Sequence, residues 1–144
     1  MRKLVVLAVG VAALGLATTA GSRVTPDHFT AHMNAAQEVP KQAVPAMAGT
    51  GTFTSSILGR DMSWRLTFSH LSGPALAAHI HVGKVGTAGA IIVPLCAPCK
   101  SGVHKTLALT PPQLSAIGKG NTYVNVHTKK NPAGEIRGQL KPAM

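Results

Sequence analysis

Apolar and polar side chains alternate with a period of two along most of the chain, which is typical of strands that bury one face of an antiparallel sheet. The clearest example is DMSWRLTFSHL (61–71), in which Met62, Trp64, Leu66 and Phe68 share one face. Hydrophilic side chains fill the opposite face of this segment. Similar patterns and turn residues predict strands in eight segments, at 28–36, 49–57, 61–71, 77–83, 90–95, 103–109, 123–128 and 134–140.

Two segments depart from this alternation. AIIVPL (90–95) is apolar throughout, which predicts a strand buried on both faces. TPPQLSAIGKG (110–120) predicts one short helix, with Thr110 as its N-cap, Pro111 at its first position and a glycine at its end. Seven to nine short strands with a single short helix indicate an all-β fold. We expect a Greek-key β-sandwich or barrel, immunoglobulin-like or Cu/Zn superoxide dismutase-like in architecture.

The first twenty residues predict a secretory signal peptide. Arg2 and Lys3 precede an apolar stretch at 4–17, and small residues follow up to Ala20, where we expect cleavage. A membrane-spanning helix needs about 20 apolar residues, so this shorter stretch favours a cleaved signal over an uncleaved anchor. The prediction is therefore a signal peptide at 1–20 and one domain at 21–144. That domain would be exported, either to the periplasm or out of the cell, and would have no membrane span after cleavage.

The charge of the chain narrows the choice of partners. The formal net charge is +10, and removal of Arg2 and Lys3 leaves 12 basic against four acidic side chains, or +8. Apart from Lys129 and Lys130, the basic residues are scattered rather than grouped in a stripe with aromatic residues, so we expect no nucleic-acid binding. The remaining candidates are an unidentified protein and an anionic cell-surface polymer. Scattered cations also serve simply as a solvating surface.

Four segments together resemble the CHRD (chordin-type) domain family, of which single-domain exported bacterial members exist. They are AQEVP (36–40), AHIHVGKVGTAGAIIVPL (78–95), LTPPQL (109–114) and YVNVHTKKNPAGEIRGQL (123–140). The resemblance spans about residues 28–140 and implies an extracytoplasmic β-rich domain, usually without assigned chemistry. Our first hypothesis is accordingly a non-catalytic binding or structural module of the cell envelope.

The histidines suggest an alternative function, metal binding. Residues two apart in a strand lie on one face, roughly 6.5–7 Å apart, so His79 and His81 project together. The pattern of YVNVHT places His127 on the outer face of a second strand. If the two strands are neighbours, His79, His81 and His127 predict a Cu or Zn site. Glu135 would then be a fourth ligand or a hydrogen-bond partner of a ligand.

The same outer face also allows an interpretation without metal. The imidazoles would hydrogen-bond the turn backbones, and Glu135 would pair with Arg137 or another cation in a structural network that includes Asn125. The His-x-His strand is similar in architecture and spacing to that of Cu/Zn superoxide dismutase, so the metal-binding alternative extends to superoxide dismutase-like chemistry. No counterpart of the dismutase's bridging histidine is found here, which argues against that activity. No serine lies in a nucleophile elbow, so we assign no catalytic residue and do not favour an enzyme.

The cysteines Cys96 and Cys99 form the other chemically notable pair. In an exported protein, two cysteines this close predict a local disulfide. A thiol-based metal site that includes His104 is the alternative, because soft sulfur ligands suit Cu(I) and Zn.

Overall fold

The computed structural model describes residues 27–43 and 48–144, where the chain forms nine strands, one α-helix and one 3₁₀ turn. The predicted signal peptide at 1–20 lies outside the described residues. No helix within the described ranges combines the length and apolarity that crossing a membrane requires. The elements are β1 (Asp27–Asn34), the 3₁₀ turn (Ala35–Gln37), β2 (Thr50–Leu58), β3 (Asp61–Ser69), β4 (Ala75–Val82), β5 (Ile91–Cys96), β6 (Val103–Ala108), α1 (Pro111–Gly118), β7 (Thr122–Thr128), β8 (Ile136–Gln139) and β9 (Lys141–Pro142).

The strands form a single curled antiparallel sheet in the order β5-β4-β7-β8-β1-β2-β3-β6, with β9 beside β1. Strands that are neighbours in sequence pair along β1, β2 and β3, whereas β4 and β7 meet although two strands and a helix separate them in the chain. The all-β prediction of the sandwich or barrel class is confirmed. The long-range pairing of β4 with β7 is the feature that creates the site described below.

One hydrophobic core fills the inside of the curled sheet. As the alternation predicts, Met62 and Leu66 are fully buried and Trp64 nearly so, while Phe53 stacks on Trp64 with ring centroids 6.0 Å apart. Burial of a side chain of this size stabilises the fold by about 1.5–3 kcal/mol. The core is mainly aliphatic because the chain contains few aromatic residues.

Helix α1 starts and ends as predicted. Thr110 caps its N-terminus in a capping box with Gln113, in which each side chain bonds the other residue's backbone N–H. The Nε2 of Gln113 also donates to the carbonyl of Ile92, 2.6 Å away, which ties the helix to β5. Ile117 packs into the core.

The prediction that 90–95 is buried on both faces is wrong. Strand β5 lies at the edge of the sheet, where Ile91 is 52% exposed while Val93 is buried. Val93 and Leu95 are buried in the core, whereas Ile91 and Pro94 are exposed, so only part of the apolar run is covered. A continuous apolar run alone does not distinguish a central strand from an edge strand.

Cys96 and Cys99 are joined in a disulfide at the end of β5. The Cys99 backbone N–H donates to the carbonyl of Ala75, 3.1 Å away, so the closed loop is tied to β4. Because both sulfurs are bonded to each other, they do not form a thiolate site with His104, which is exposed on β6.

Candidate metal centre

The antiparallel register of β4 and β7 brings three imidazoles together on the outer face. His79 lies opposite Asn125 and His81 opposite Tyr123, which places His127 diagonally across from His79. The ring centroids of His127 lie 4.9 Å from His79 and 6.0 Å from His81. One potential ligand atom from each histidine lies within 4.8 Å of the other two. Two remote stretches of sequence thus present their imidazoles to a common point.

Backbone carbonyls fix the tautomers of two of these rings. The Nδ1 of His81 lies 2.9 Å from the carbonyl oxygen of Gly89, and the Nδ1 of His127 lies 3.0 Å from that of Pro132. A carbonyl can only accept, so both Nδ1 atoms carry a proton and both Nε2 atoms keep a lone pair. The Nε2 of His127 accepts from the Nδ1 of His79 at 3.0 Å. An ion binding there would replace this one hydrogen bond, worth about 1 kcal/mol net.

The surroundings keep the three histidines neutral. Burial, together with the neighbouring His127 and His81, lowers the pKa of His79 to about 4. Burial also lowers the pKa of His81 and of His127, although hydrogen bonds to Gly89 and Pro132 partly oppose it. Metal ions bind imidazole in its neutral form, so protons compete weakly for this site at neutral pH.

Tyr123 and Gly89 hold His81 in place. The rings of Tyr123 and His81 stack with centroids 4.9 Å apart and planes 9° from parallel, and the Arg137 guanidinium carbon lies 3.4 Å from the Tyr123 centroid. The Gly89 N–H donates to the Tyr123 hydroxyl at 3.2 Å. A Cβ at Gly89 would overlap the carbonyl of Val82, so only glycine fits at position 89, next to His81.

The Nε2 of His81 has no hydrogen-bond partner among the described residues, although it is buried. The whole residue is only 7% exposed. Leaving such an atom unpaired costs about 1–3 kcal/mol, and native structures usually satisfy it with water or a ligand. The site therefore holds an unused ligand atom where the two other imidazoles converge.

Glu135 does not belong to the three-histidine group. Its carboxylate accepts hydrogen bonds from the backbone and hydroxyl of Ser72, the hydroxyl of Thr128 and the amide of Asn131. Burial alone would raise its pKa, but these donors outweigh burial and lower it. The residue precedes β8, where a turn surrounds it with donors, so the strand alternation used in the prediction does not apply.

The predicted pairing of Glu135 with Arg137 is likewise not made. Arg137 points its Nη2 at the carbonyl of Lys84, 2.9 Å away, and lies over Tyr123. Asn125 is buried, 1% exposed, on the same strand as His127. Of the residues predicted for this face, Asn125 and Arg137 therefore lie next to the histidines. Glu135 instead accepts hydrogen bonds in the neighbouring turn.

Sequence reasoning missed Glu38, the other buried carboxylate. It follows the 3₁₀ turn after β1 and is fully buried, and burial raises its pKa to about 7, with Arg137 and Lys41 opposing the rise. Gly134 makes room for it, since a Cβ there would lie 2.5 Å from the Glu38 Oε1. The only signal in the sequence was its place in AQEVP, one of the four segments that carry the family resemblance.

Together, fold and site define a curled, all-β domain with a largely buried histidine cluster on its outer face. The chain belongs to the CHRD domain family, whose model matches residues 29–140. The match includes β2 to β8 and most of β1, so it covers every residue of the cluster. No curated protein and no solved structure matches the chain.

Proposed function

We propose that this protein is an exported, non-catalytic CHRD module of the cell envelope that binds one copper or zinc ion through His79, His81 and His127. The observation that carries the proposal is the convergence of three neutral imidazoles, with ligand atoms no more than 4.8 Å apart. Imidazole nitrogen is a preferred ligand of both metals. Hydrogen bonds from ligand Nδ1 atoms to backbone carbonyls are also usual around protein-bound zinc.

The distances suit an ion after a small closure of the site. A tetrahedral ion with metal–nitrogen bonds of about 2.1 Å needs nitrogens about 3.4 Å apart. The longest ligand separation exceeds this value, so at least one ring must turn inward. His79 can do so, because its Nδ1 is bound only to His127 and not to a turn carbonyl.

Export is supported by two features. The first is the signal-peptide pattern at 1–20, and the second is the disulfide between Cys96 and Cys99, a bond that persists in oxidising compartments. Expression of the full chain in a bacterium checks this part of the proposal. We expect the protein in the exported fraction, with mass spectrometry showing a new N-terminus at Gly21. Retention in the cytoplasm at full length would contradict it.

Metal binding is tested with the exported protein after treatment with EDTA. Dialysis against zinc or copper and elemental analysis should show one ion per chain. His79→Gln, His81→Gln and His127→Gln should each weaken binding by more than about 100-fold, since even the partners of metal ligands are worth 10- to 100-fold. His28→Gln and His104→Gln alter exposed histidines outside the group and serve as controls. No retained metal, or equal retention in all variants, would refute the site.

A second function is favoured by the distribution of surface charge. Among the described residues, ten lysines and arginines are exposed, but only two acids, Asp27 and Asp61, because Glu38 and Glu135 are buried. A shallow groove of about 590 Å³ crosses the outer face of β2, β3 and β6, and it is lined by Arg65, Lys105 and several hydroxyl groups. This surface suits an anionic cell-surface polymer.

Binding of such a polymer is tested on a sulfated-polysaccharide resin. We expect the protein to elute only at raised salt, and Arg65→Gln with Lys105→Gln to lower the eluting salt concentration, because the charges in the groove are lost. The control Lys119→Gln with Lys129→Gln removes the same charge outside the groove. If the two double variants elute at the same salt concentration, binding depends on the overall charge of the protein and not on the groove.

A further inference from the structure

Several buried polar atoms near the three histidines lack hydrogen-bond partners among the described residues. They are the Nε2 of His81, the Oδ1 of Asn125, the Nη1 of Arg137 and both carboxylate oxygens of Glu38. A folded protein satisfies nearly all such atoms, so a concentration of exceptions at one place marks a site that water or a ligand completes. Asn125 is the residue that connects them.

Asn125 lies at the centre of this group by its position in the sheet. It faces His79 across the β4–β7 pairing and Arg137 across the β7–β8 pairing. Along β7 it lies two residues from both Tyr123 and His127, which puts its side chain on the same face as theirs. Its amide acts on two groups at once, lowering the pKa of Glu38 and raising that of His81.

The orientation of this amide follows from its two neighbours. In its ionised form the carboxylate of Glu38 can only accept, so the NH₂ group of Asn125 is the end that favours it. The amide oxygen then faces His81, whose Nδ1 proton is already donated to Gly89. The interaction of the Asn125 amide with His81 places the two residues in contact. Two acceptors, the Asn125 Oδ1 and the His81 Nε2, are thus left buried without partners. They cannot bond each other, and a cation between them satisfies both.

We infer that the side-chain oxygen of Asn125 is the fourth ligand of the ion held by His79, His81 and His127, and that Glu38 orients it. This inference rests on the proposed metal-binding function and specifies its donor set as three nitrogens and one oxygen. Such a set completes the four-coordinate geometry usual for structural zinc. Asn125 takes the role that the sequence suggested for Glu135, whose oxygens are occupied by four donors.

Glu38 is a positioning residue in this arrangement, since it reaches the ion only through Asn125. Its place is prepared by Gly134, which leaves room for the carboxylate, and by Arg137, whose charge stabilises the ionised form. Carboxylates that hydrogen-bond metal ligands commonly contribute 10- to 100-fold to affinity. Glu38→Gln keeps the shape of the side chain but can offer its own NH₂ group to Asn125, so the amide is no longer held in one orientation.

The decisive variant is Asn125→Leu, which keeps the volume of the side chain but removes its oxygen. In zinc titrations of the exported protein we expect affinity to fall about 10- to 100-fold, with one ion still bound. Asn125→Asp, which restores an oxygen, should bind within about threefold of the wild type or more tightly, because a carboxylate is a stronger ligand. Asn121→Leu, at an exposed loop position, is the matched control.

Copper(II) provides a spectroscopic readout that a purely structural role would not change. Electron paramagnetic resonance of Asn125→Leu should keep hyperfine splitting from three nitrogens but show a shifted parallel copper coupling. Asn125→Ser, whose oxygen is too short to reach the ion, should show the same shift and covers the case in which the leucine variant does not fold. Wild-type affinity and an unchanged spectrum in both variants would overturn the inference while leaving the three-histidine site intact. A wild-type protein that binds no metal would instead refute the proposed function itself.

Discussion

Glu135 and Glu38 are both fully buried carboxylates, yet their surroundings are opposite. Glu135 accepts hydrogen bonds from Ser72, Thr128 and Asn131, whereas neither oxygen of Glu38 makes a well-aligned hydrogen bond to a described residue. Among the described residues, the Val39 N–H and the Asn125 amide are the hydrogen-bond donors near enough to lower its pKa. A satisfied buried carboxylate holds its neighbours in one arrangement. An unsatisfied one lowers stability and persists where it serves another purpose. The first region therefore maintains the fold, and the second adjoins the proposed binding site.

The pKa values of the two residues express the same contrast. At Glu135 the donors outweigh burial and lower the pKa, so the group is charged at neutral pH. At Glu38 burial dominates and raises the pKa to about 7, although Arg137, the Val39 N–H, Asn125 and Lys41 oppose it. Burial raises the pKa of both carboxyl groups, and the number of hydrogen-bond donors around each group decides whether its pKa ends above or below the ordinary value.

The largest loss of stability is expected for Glu135→Ala. It leaves the donors of Ser72, Thr128 and Asn131 without their acceptor, which should lower the free energy of unfolding by about 4 kcal/mol. Urea denaturation in EDTA measures the change, and zinc affinity of the folded fraction should stay the same. A loss below about 1 kcal/mol would show that the Glu135 network does not stabilise the turn.

The next effect concerns the pH dependence of stability at Glu38. Its folded pKa of about 7 lies above the ordinary 4.5, so the folded state binds the extra proton between these values and loses stability as the pH rises through them. Relative to Glu38→Gln, wild-type stability should fall by about 2–3 kcal/mol from pH 4.5 to 7. The histidines contribute equally to both proteins and cancel. Parallel pH profiles in EDTA would contradict the proposed burial of an ionisable Glu38.

A smaller difference in stability, between Gly134→Ala and Gly120→Ala, tests whether Glu38 needs the space beside Gly134. Gly134 and Gly120 both have positive φ angles, 139° and 73°, but only a Cβ at Gly134 would meet the Glu38 carboxylate. Alanine costs about 1 kcal/mol in the left-handed conformation of Gly120 and more at the φ angle of Gly134. Gly134→Ala should cost about 1–2 kcal/mol more than Gly120→Ala, because it also displaces a buried side chain. Equal losses would show that the space beside Glu38 is not needed.

The same contrast marks the limit of sequence-based prediction. Alternation placed His79 and His81 on one face of β4, and Asn125 and His127 on one face of β7. The pairing of β4 with β7 brings these two faces together. Glu135 was predicted to join them because strand alternation was extended into a turn. Glu38 could not be predicted, because its burial depends on a loop folding against β7 and β8, which no local period encodes.

The central claim is that the histidine cluster is a metal site whose three imidazoles can reach one ion after a small closure. The most direct test is a crystal structure of the exported protein soaked in zinc, with anomalous diffraction recorded at the zinc edge. We predict one peak about 2.0–2.1 Å from a nitrogen of each of His79, His81 and His127. A cluster without a peak, its imidazole nitrogens instead hydrogen-bonded to ordered water, would contradict it.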